Sequence, residues 1–336
     1  MTATAAFGTM LVDHLGVVRW EHGVWDVPKL GPLEPLPLHP ATHALHYGSA
    51  CFEGLKAHRG HDGVVRIFRL ARHVERLQQS AAVLRLPVPP TEMLSTMIVD
   101  LVRASLREVP GAPGSLYLRP TLIGTDQNIG AAAHPSEQAM LFVVGSPVGD
   151  YFTKGSRPLA LAIETQQLRT TPQFGKVKTG ANYAMALGLT QQAADEHGVD
   201  QVLFAPGGLV QETGASNFLL LDAERVITPA LTDAFLHGVT RDSLLVIAAE
   251  RGYAVEERPV TVEEVLEWAA RPDAEAALSG TAAVMSGVGT LVHEGRRITV
   301  GGGDVGPNTV ALRRALADVH GALQPDRHAW LTPVLP

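Results

Sequence analysis

The order of strand-like and helix-like segments constrains the fold of this chain more than any other feature. Short apolar runs bounded by glycine, proline and polar residues predict strands. Val74, Leu77, Ala81 and Leu84 share one helical face and predict an amphipathic helix in the first half. The second half alternates strands and helices without the regular rhythm of a doubly wound parallel sheet. The pattern predicts an α+β first half and a mixed α/β second half.

A length of 336 residues fits two domains. We expect a small α+β domain over residues 1–147, an interdomain linker over 148–158 and a larger mixed α/β domain over 159–336. A loop from Gly124 to Gln138 separates two predicted strands of the first domain. A loop of that length inside a compact domain is usually functional.

Turn and capping residues support further local predictions. We expect strands at Thr9–Val12 and Val17–Trp20 near the start of the chain, and at Leu209–Gln211 in the second half. Thr261 and Glu264 have the spacing of a capping box, which predicts that a helix begins there.

Charge and cysteine content exclude several classes of protein. Lys and Arg total 27 against 34 Asp and Glu, so the net charge of −7 offers no electrostatic footprint for nucleic acid or anionic membrane. Cys51 is the only cysteine, which excludes an intrachain disulfide and a cysteine-based zinc site. The N-terminus lacks the pattern of a signal peptide, and the apolar runs are too short to span a bilayer. We therefore expect a cytoplasmic globular protein, and an enzyme in particular.

Three histidines, His39, His43 and His46, lie close together in a proline-rich segment. Without a helical pattern or nearby carboxylates they are more typical of turn and packing residues than of metal ligands. We expect no metal site.

Two turns have features of an anion site. Gly238, Val239 and Thr240 stand at the start of a predicted helix, where backbone N–H groups lack helical partners and the helix dipole favours negative charge. Ser279–Ala282 is a second turn of small residues, after a predicted strand. Each turn by itself is more typical of a cap than of a ligand site. Together with Arg76 on the first helix they favour a phosphate group.

Lys178 and Glu212 are candidate reactive residues. Lys178 is flanked by small residues just before a helix, where its amine could form a Schiff base, although an exposed loop lysine is the commoner interpretation of such a sequence. Glu212 follows a predicted strand among small residues. Its carboxylate could pair with a protonated pyridine nitrogen or form a surface ion pair.

The sequence resembles the branched-chain amino-acid aminotransferases, which are class IV, fold-type IV pyridoxal-phosphate enzymes. The resemblance extends from Phe7 to Trp330. Its most specific segments are Ala44–Gly48 with Phe52–Gly54, Leu116–Pro120, Lys178–Tyr183, Glu212–Phe218, Gly238–Asp242 and Ser279–Ala282. It implies the two-domain D-amino-acid aminotransferase-like fold, pyridoxal 5'-phosphate as cofactor, and amino transfer between L-leucine, L-isoleucine or L-valine and 2-oxoglutarate.

The resemblance also implies a role for each matching residue. Lys178 is similar to the Schiff-base lysine and proton shuttle, Glu212 to the partner of the pyridine nitrogen, and Tyr183 to the residue that binds the phenolic oxygen of the cofactor. The implied phosphate ligands are Arg76, Gly238, Val239, Thr240 and Thr281. The implied substrate residues are Tyr117, Thr281 and Ala282 for the α-carboxylate, Tyr47, Phe52 and Tyr151 for the side chain, and Arg119 with Tyr47 for the second carboxylate of glutamate.

The resemblance implies a homodimer in which the loop Gly124–Gln138, around Ile129 and Ala131, covers the active site of the neighbouring subunit. The sequence departs from its relatives at two positions. Ala215 stands where some relatives carry a hydroxyl, and His237 replaces a proline before the predicted phosphate turn. The Cys-x-x-Cys of animal relatives is absent, so we expect no thiol switch.

Two alternatives remain open. One is another enzyme of the same fold, either a D-amino-acid aminotransferase or an aminodeoxychorismate lyase. The segment Phe7–His14 and the pair Tyr117 and Arg119 weigh against it. The other is a catalytically silent binding protein that retains the fold, against which the presence of both Lys178 and Glu212 weighs.

Overall fold

The computed structural model describes residues 7–149 and 157–335. Its helices are α1 (His43–Tyr47), α2 (Leu70–Val83), α3 (Thr91–Ala104), α4 (Gly180–His197), α5 (Val239–Glu250), α6 (Val262–Ala269) and α7 (Pro307–His320). Its strands are β1 (His14–Glu21), β2 (Val24–Trp25), β3 (Lys29–Pro32), β4 (Ala50–Phe52), β5 (Leu55–Arg59), β6 (Val65–Phe68), β7 (Ser115–Gly124), β8 (Ala139–Val148), β9 (Leu159–Glu164), β10 (Gln201–Phe204), β11 (Asn217–Leu221), β12 (Arg225–Pro229), β13 (Ala254–Arg258), β14 (Glu275–Gly280), β15 (Val284–His293), β16 (Arg296–Thr299) and β17 (Leu331–Val334).

The chain divides into two units that are not contiguous in sequence. The first comprises Met1–Tyr151, Val177–Gly180 and Asp318–Pro336, and the second comprises Phe152–Lys176 and Ala181–Ala317. The predicted second domain, 159–336, therefore extends too far at its C-terminal end. Residues 318–336 belong to the first unit because β17 pairs with β6 there. Most of the predicted linker, 148–158, lies outside the described residues.

The first unit is built on a nine-stranded sheet in the order β17-β6-β5-β7-β8-β1-β2, with β3 beside β1 and β4 beside β7. Helices α2 and α3 pack on this sheet, and their apolar residues complete the core. Val74, Leu77 and Ala81 of α2 are buried, which confirms the predicted amphipathic face. The loop Gly124–Gln138 connects β7 to β8 without a helix or strand of its own beyond the end of β7.

The second unit is built on an eight-stranded sheet in the order β10-β9-β15-β14-β11-β12-β13, with β16 beside β15. Parallel pairs (β9 with β10 and β15, β12 with β13) occur beside antiparallel ones. This arrangement confirms the predicted mixed architecture. Phe218 and Leu278 of adjacent strands contribute to its core, together with Trp268 of α6.

Two predicted strands are wrong. Thr9 and Met10 form a bend and the next two residues have no regular structure, although the N–H of Val12 donates to the carbonyl of Gly145 at 2.9 Å. Leu209–Gln211 makes only an isolated bridge, from Leu209 to Thr261. It follows Gly207 and Gly208, whose φ values of 64° and 83° bend the chain out of the extended conformation.

The first hydrogen bond of the predicted capping box, from the N3 backbone N–H to the N-cap side chain, is confirmed. The hydroxyl of Thr261 accepts a hydrogen bond from the backbone N–H of Glu264 at 3.2 Å, and α6 begins at Val262. Within residues 7–149 and 157–335, no helix is long and apolar enough to cross a bilayer.

Candidate active site

In the first unit, the backbone of Lys178 is held on both sides. Its N–H donates to the hydroxyl of Ser80 at 3.0 Å, and its carbonyl accepts from the N–H of Phe52 at 3.0 Å. Its Nζ lies 5.1 Å from the centre of the Phe52 ring. Ser80 lies on α2 and Phe52 ends β4, so two regular elements fix the position of the lysine. Lys176 is engaged elsewhere, because its Nζ forms an exposed ion pair with Asp233 at 2.8 Å in the second unit.

A buried carboxylate, Glu53, binds the predicted phosphate ligand Arg76. Arg76 donates from Nε to one carboxylate oxygen at 2.6 Å and from Nη2 to the other at 2.9 Å. The Nδ1 of His73 lies 2.7 Å from the second carboxylate oxygen, and the backbone N–H of Gly54 donates to the same oxygen at 3.1 Å. Glu53 is only 1% exposed. The resemblance includes Glu53 but assigns it no role.

Electrostatics fix the charge states in this cluster. Burial raises the pKa of the Glu53 carboxyl. The charge of Arg76 and the hydrogen bond from His73 lower this pKa by more than burial raises it, so it lies well below its usual range. Burial lowers the pKa of His73, against the opposing effect of Glu53. At neutral pH Glu53 is therefore ionised, and His73 is neutral and donates its Nδ1 proton to that carboxylate.

Tyr117, Arg119 and Phe52 form a second group in the first unit. Arg119 donates from Nη2 to the Tyr117 hydroxyl at 2.8 Å, and its guanidinium carbon lies 4.4 Å from the centre of the Phe52 ring. The Nε of Arg119 is buried and has no hydrogen-bond partner among the described residues. A Cβ on Gly54 would lie 2.0 Å from the Tyr117 hydroxyl oxygen, so only glycine leaves room for this tyrosine. Tyr117 and Arg119, to which the resemblance assigns different carboxylates of the substrates, thus contact each other.

The loop Gly124–Gln138 is tied to α1. The Tyr47 hydroxyl donates to the carbonyl of Ile129. His43, which is buried, lies 2.8 Å from the Ser49 hydroxyl through Nδ1 and 3.2 Å from the carbonyl of His134 through Nε2. His43 thus has the packing role expected of it.

In the second unit, Glu212 is 3% exposed and its carboxylate is held by hydrogen bonds. Arg169 Nη2 and the backbone N–H of Leu236 both lie 2.9 Å from Oε1, and Asn217 Nδ2 donates to Oε2 at 3.1 Å. Arg169 is also buried, so the ion pair is shielded from solvent. Glu212 is therefore not a surface ion-pair residue. No local pattern in the sequence distinguishes Arg169.

The two predicted phosphate turns lie close together in the second unit. Gly238 precedes α5, whose first residues are Val239 and Thr240, and no side chain caps this end of the helix. A Cβ on Gly238 would lie 2.0 Å from the Asn217 side-chain oxygen, and Asn217 pairs with Ser279 across β11 and β14. Both turns therefore adjoin Asn217.

The donor groups of these turns fit a phosphate. The first N–H groups of a helix have no intrahelical partner and attract anions. The hydroxyl of Ser279 is buried without a hydrogen-bond partner among the described residues. Ser279 lies in β14, so the turn predicted over Ser279–Ala282 begins later, at Thr281 and Ala282, between β14 and β15. A ligand with several acceptor oxygens, such as the phosphate of pyridoxal phosphate, matches this set of donors.

The remaining candidate residues occupy separate positions. Tyr183 is half-buried in the first turn of α4. His237, at the phosphate turn, places its Nε2 2.9 Å from the carbonyl of Thr232. Ala215 is exposed. Tyr151 lies outside the described residues.

Comparison with known proteins identifies the class of protein to which this arrangement corresponds. The sequence model of the class IV amino-transferases matches residues 50–289. The chain belongs to this family, and is therefore an aminotransferase of a family that depends on pyridoxal phosphate. This result confirms the predicted family and its two-domain fold.

Particular relatives are more specific. The chain is 36% identical to the probable branched-chain-amino-acid aminotransferase of Streptomyces coelicolor over 98% of this chain and 92% of that protein. It is 35% identical to the branched-chain-amino-acid aminotransferase of Mycolicibacterium smegmatis, with the same coverage. The crystal structure of the branched-chain amino acid aminotransferase from Thermobaculum terrenum, in its PLP-form, superposes with a TM-score of 0.78 and 26% identity, over 96% of this chain and 99% of that one.

Proposed function

We propose that this protein transfers the amino group between L-leucine, L-isoleucine or L-valine and 2-oxoglutarate, with pyridoxal phosphate as cofactor. One observation supports this choice of substrates. The guanidinium of Arg119 lies against the Phe52 ring, and the buried Nε of Arg119 has no hydrogen-bond partner among the described residues. An aromatic ring beside a cation with an available N–H offers an apolar surface and a carboxylate partner together.

This combination matches the two half-reactions of such an enzyme. A branched aliphatic side chain would pack on Phe52. The second carboxylate of glutamate or 2-oxoglutarate would instead accept hydrogen bonds from Arg119, with Tyr47 contributing to the same pocket. Tyr117, held by Arg119, would receive the α-carboxylate in both half-reactions, together with the amides of Thr281 and Ala282.

The residues around the cofactor divide the remaining chemistry. Pyridoxal phosphate supplies an electron sink that stabilises negative charge at the Cα of the amino acid. Lys178 would hold the cofactor covalently and, once released, would move the Cα proton through Nζ as general base and acid. Glu212, with its orientation fixed by Arg169 and Asn217, would keep the pyridine nitrogen protonated. Tyr183 would bind the phenolic oxygen.

The phosphate would anchor the cofactor. Following the resemblance, we assign it to Arg76, Gly238, Val239, Thr240 and Thr281. Tyr151 keeps its proposed place beside the substrate side chain from the resemblance alone.

The visible absorption of the purified protein tests the proposal. The spectrum of the protein loaded with pyridoxal phosphate should change within seconds of adding L-leucine without a keto acid, and 2-oxoglutarate should restore it. A spectrum that responds only to D-alanine, or activity only with aminodeoxychorismate, would favour another enzyme of this fold. A protein that does not bind pyridoxal phosphate would contradict the proposal altogether.

We also propose a homodimer in which the loop Gly124–Gln138 covers the partner's active site. In support, the side chain of Ile129 is 67% exposed, although its carbonyl is held by Tyr47. Light scattering tests the dimer. Mixing inactive Lys178→Ala with a loop-impaired Ile129→Asp variant tests the loop. In the mixed dimer, the intact loop of the Lys178→Ala chain would cover the active site of the other chain, which keeps its Lys178, and activity would be restored.

If the loop served its own subunit, mixing the two variants would restore no activity.

The cytoplasmic location expected from the sequence is part of this proposal, and cell fractionation tests it.

A further inference from the structure

The Glu53 carboxylate is a deeply buried ionised group. The roles proposed above give no reason for a charge at this position. Glu53 is 1% exposed and carries a negative charge at neutral pH. Removing a carboxylate from water is costly unless its partners compensate, and replacing a buried ion pair by apolar residues is often neutral for stability. Stability alone therefore gives a weak reason for a charge at this position.

The geometry of the contact indicates a second reason. Glu53 binds Arg76 in a fork, with one oxygen on Nε at 2.6 Å and the other on Nη2 at 2.9 Å. A two-point contact fixes the plane of a guanidinium, and hence the direction in which its third nitrogen, Nη1, donates. A contact to a single oxygen would leave the group free to rotate.

The carboxylate is itself held in place. The neutral ring of His73 and the N–H of Gly54 both bind the oxygen that accepts from Nη2. His73 and Arg76 lie one turn apart on α2, so the helix positions both the guanidinium and a support for its partner. The orientation of Arg76 therefore depends on Glu53 and on the helix together.

We propose that Glu53 is a positioning residue that orients Arg76 toward the phosphate of pyridoxal phosphate, and that His73 supports Glu53 in this role. This inference rests on the proposed function, because it takes Arg76 as a phosphate ligand. It predicts that Glu53 affects binding of the phosphate more than binding of the pyridine ring.

Two cofactor forms separate these effects. Pyridoxal lacks the phosphate but keeps the ring and the aldehyde, so we would measure the affinity of the cofactor-free protein for pyridoxal phosphate and for pyridoxal by spectroscopic titration. Glu53→Gln keeps the shape of the side chain but removes its charge and one acceptor. It should weaken binding of pyridoxal phosphate by about tenfold, the effect of one hydrogen bond to a charged group, and change binding of pyridoxal by less than about twofold.

Asp222→Asn is the matched control. Asp222 is a buried carboxylate that binds two arginines, Arg225 and Arg271, each at 3.0 Å, and has no hydrogen bond to a candidate residue in the part of the chain that the structure describes. Asp222→Asn should change the affinity for neither pyridoxal phosphate nor pyridoxal, although it should lower thermal stability. Arg76→Ala sets the reference for complete loss of phosphate preference. Adding Glu53→Gln to Arg76→Ala should reduce that preference no further, because no guanidinium remains to be oriented.

The outcomes separate this inference from the proposed function. If Arg76→Ala abolishes the preference for the phosphate form while Glu53→Gln preserves it, Glu53 has only a structural role and the inference is wrong. If the wild-type protein shows no preference for pyridoxal phosphate over pyridoxal, both the inference and the assigned role of Arg76 are wrong.

A second variant covers the case in which Glu53→Gln does not fold. Glu53→Asp keeps the charge but withdraws the carboxylate by one methylene. It should reduce affinity for pyridoxal phosphate selectively, and equal loss for both cofactor forms would overturn the inference.

Discussion

Three consecutive residues, Phe52, Glu53 and Gly54, each contact a different candidate residue of the first unit. The N–H of Phe52 binds the carbonyl of Lys178, the carboxylate of Glu53 binds Arg76, and the missing side chain of Gly54 leaves room for Tyr117. This three-residue segment, which joins β4 to β5 along β7, thus contacts the proposed Schiff-base lysine, a proposed phosphate ligand and a proposed substrate ligand. Changes in this segment should affect catalysis more than stability.

Gly54→Ala tests the close approach of Tyr117. The new Cβ would lie 2.0 Å from the tyrosine hydroxyl oxygen, and the buried tyrosine is also held by Arg119. Because displacement of a substrate ligand by about 1 Å costs up to about a hundredfold in rate, we expect kcat/KM for L-leucine to fall by about 10- to 100-fold. Gly31→Ala, at a strand position with no atom within 4 Å of the new Cβ, is the control and should stay near the wild-type value. Unchanged kinetics for Gly54→Ala would show that Tyr117 is not required in its present position.

Lys178→Ala tests the proposed Schiff-base residue. Without an amine to bind the cofactor covalently and move the Cα proton, transamination should fall by at least about a thousandfold while the protein stays folded by circular dichroism. Lys176→Ala is a close control, since the side chain of Lys176 forms an exposed ion pair with Asp233. Its rate should match the wild type. Full activity in Lys178→Ala would show that another residue carries the chemistry.

Helices are the elements that the sequence predicts best. The apolar spacing of α2 and the capping residues of α6 both depend on neighbours within one or two turns, so a local pattern contains the information. The wrong strands at Thr9–Val12 and Leu209–Gln211 show the opposite case. A strand needs a partner in register, and no local pattern states whether a partner is available.

The start of α6 gives a prediction at the scale of one element. Thr261→Ala removes the side-chain acceptor for the N–H of Glu264 and should lower the free energy of unfolding by about 1 kcal/mol. Thr261→Ser keeps an acceptor and should recover most of that loss. Denaturant unfolding of the three proteins measures the difference. Equal stability of Thr261→Ala and the wild type would mean that water satisfies this N–H equally well.

The first unit contains a cluster of aromatic rings. The rings of His58 and His320 stack with centres 4.2 Å apart, and the rings of Phe68 and His320 meet in a T-shaped arrangement with centres 4.5 Å apart. Burial lowers the pKa of His320 to about 3, with a further contribution from the charge of Lys56. Burial, His320 and Lys56 also lower the pKa of His58.

These shifts make the stability of the whole molecule depend on pH. The unfolded chain binds a proton at each histidine near pH 6.5, whereas the folded chain keeps the rings neutral to much lower pH. The stabilisation is therefore complete above about pH 6.5 and declines as the pH falls below it, by up to about 1.4 kcal/mol per pH unit for each ring.

His320→Phe keeps a stacked ring but cannot titrate. Between pH 6.5 and 4 its unfolding free energy should decrease less steeply with falling pH than that of the wild type, while the two should be similar in slope above pH 7. Urea unfolding at a series of pH values measures both slopes. Identical slopes in the acid range would show that His320 does not control this loss of stability.

The candidate site could be predicted only in part. Lys178, Glu212, Arg76 and the two phosphate turns were identifiable because their sequence neighbourhoods resemble a known family. Glu53 and Arg169 were not assigned roles, because their contacts with Arg76 and Glu212 join residues far apart in the chain. Spacing along a sequence shows which residues share a helical face, but it does not show which distant carboxylate neutralises an arginine.

Local patterns in the sequence were sufficient for most elements, for the family and for the residues proposed to carry the chemistry, because helix periodicity, caps and family motifs each lie within a short stretch of chain. Only the folded chain shows that Val177–Gly180 and Asp318–Pro336 belong to the first unit, and that Glu53 fixes Arg76. Both results depend on hydrogen bonds between distant segments. Such bonds form only where folding has removed water and brought the partners to a fixed distance, and no local pattern contains that information.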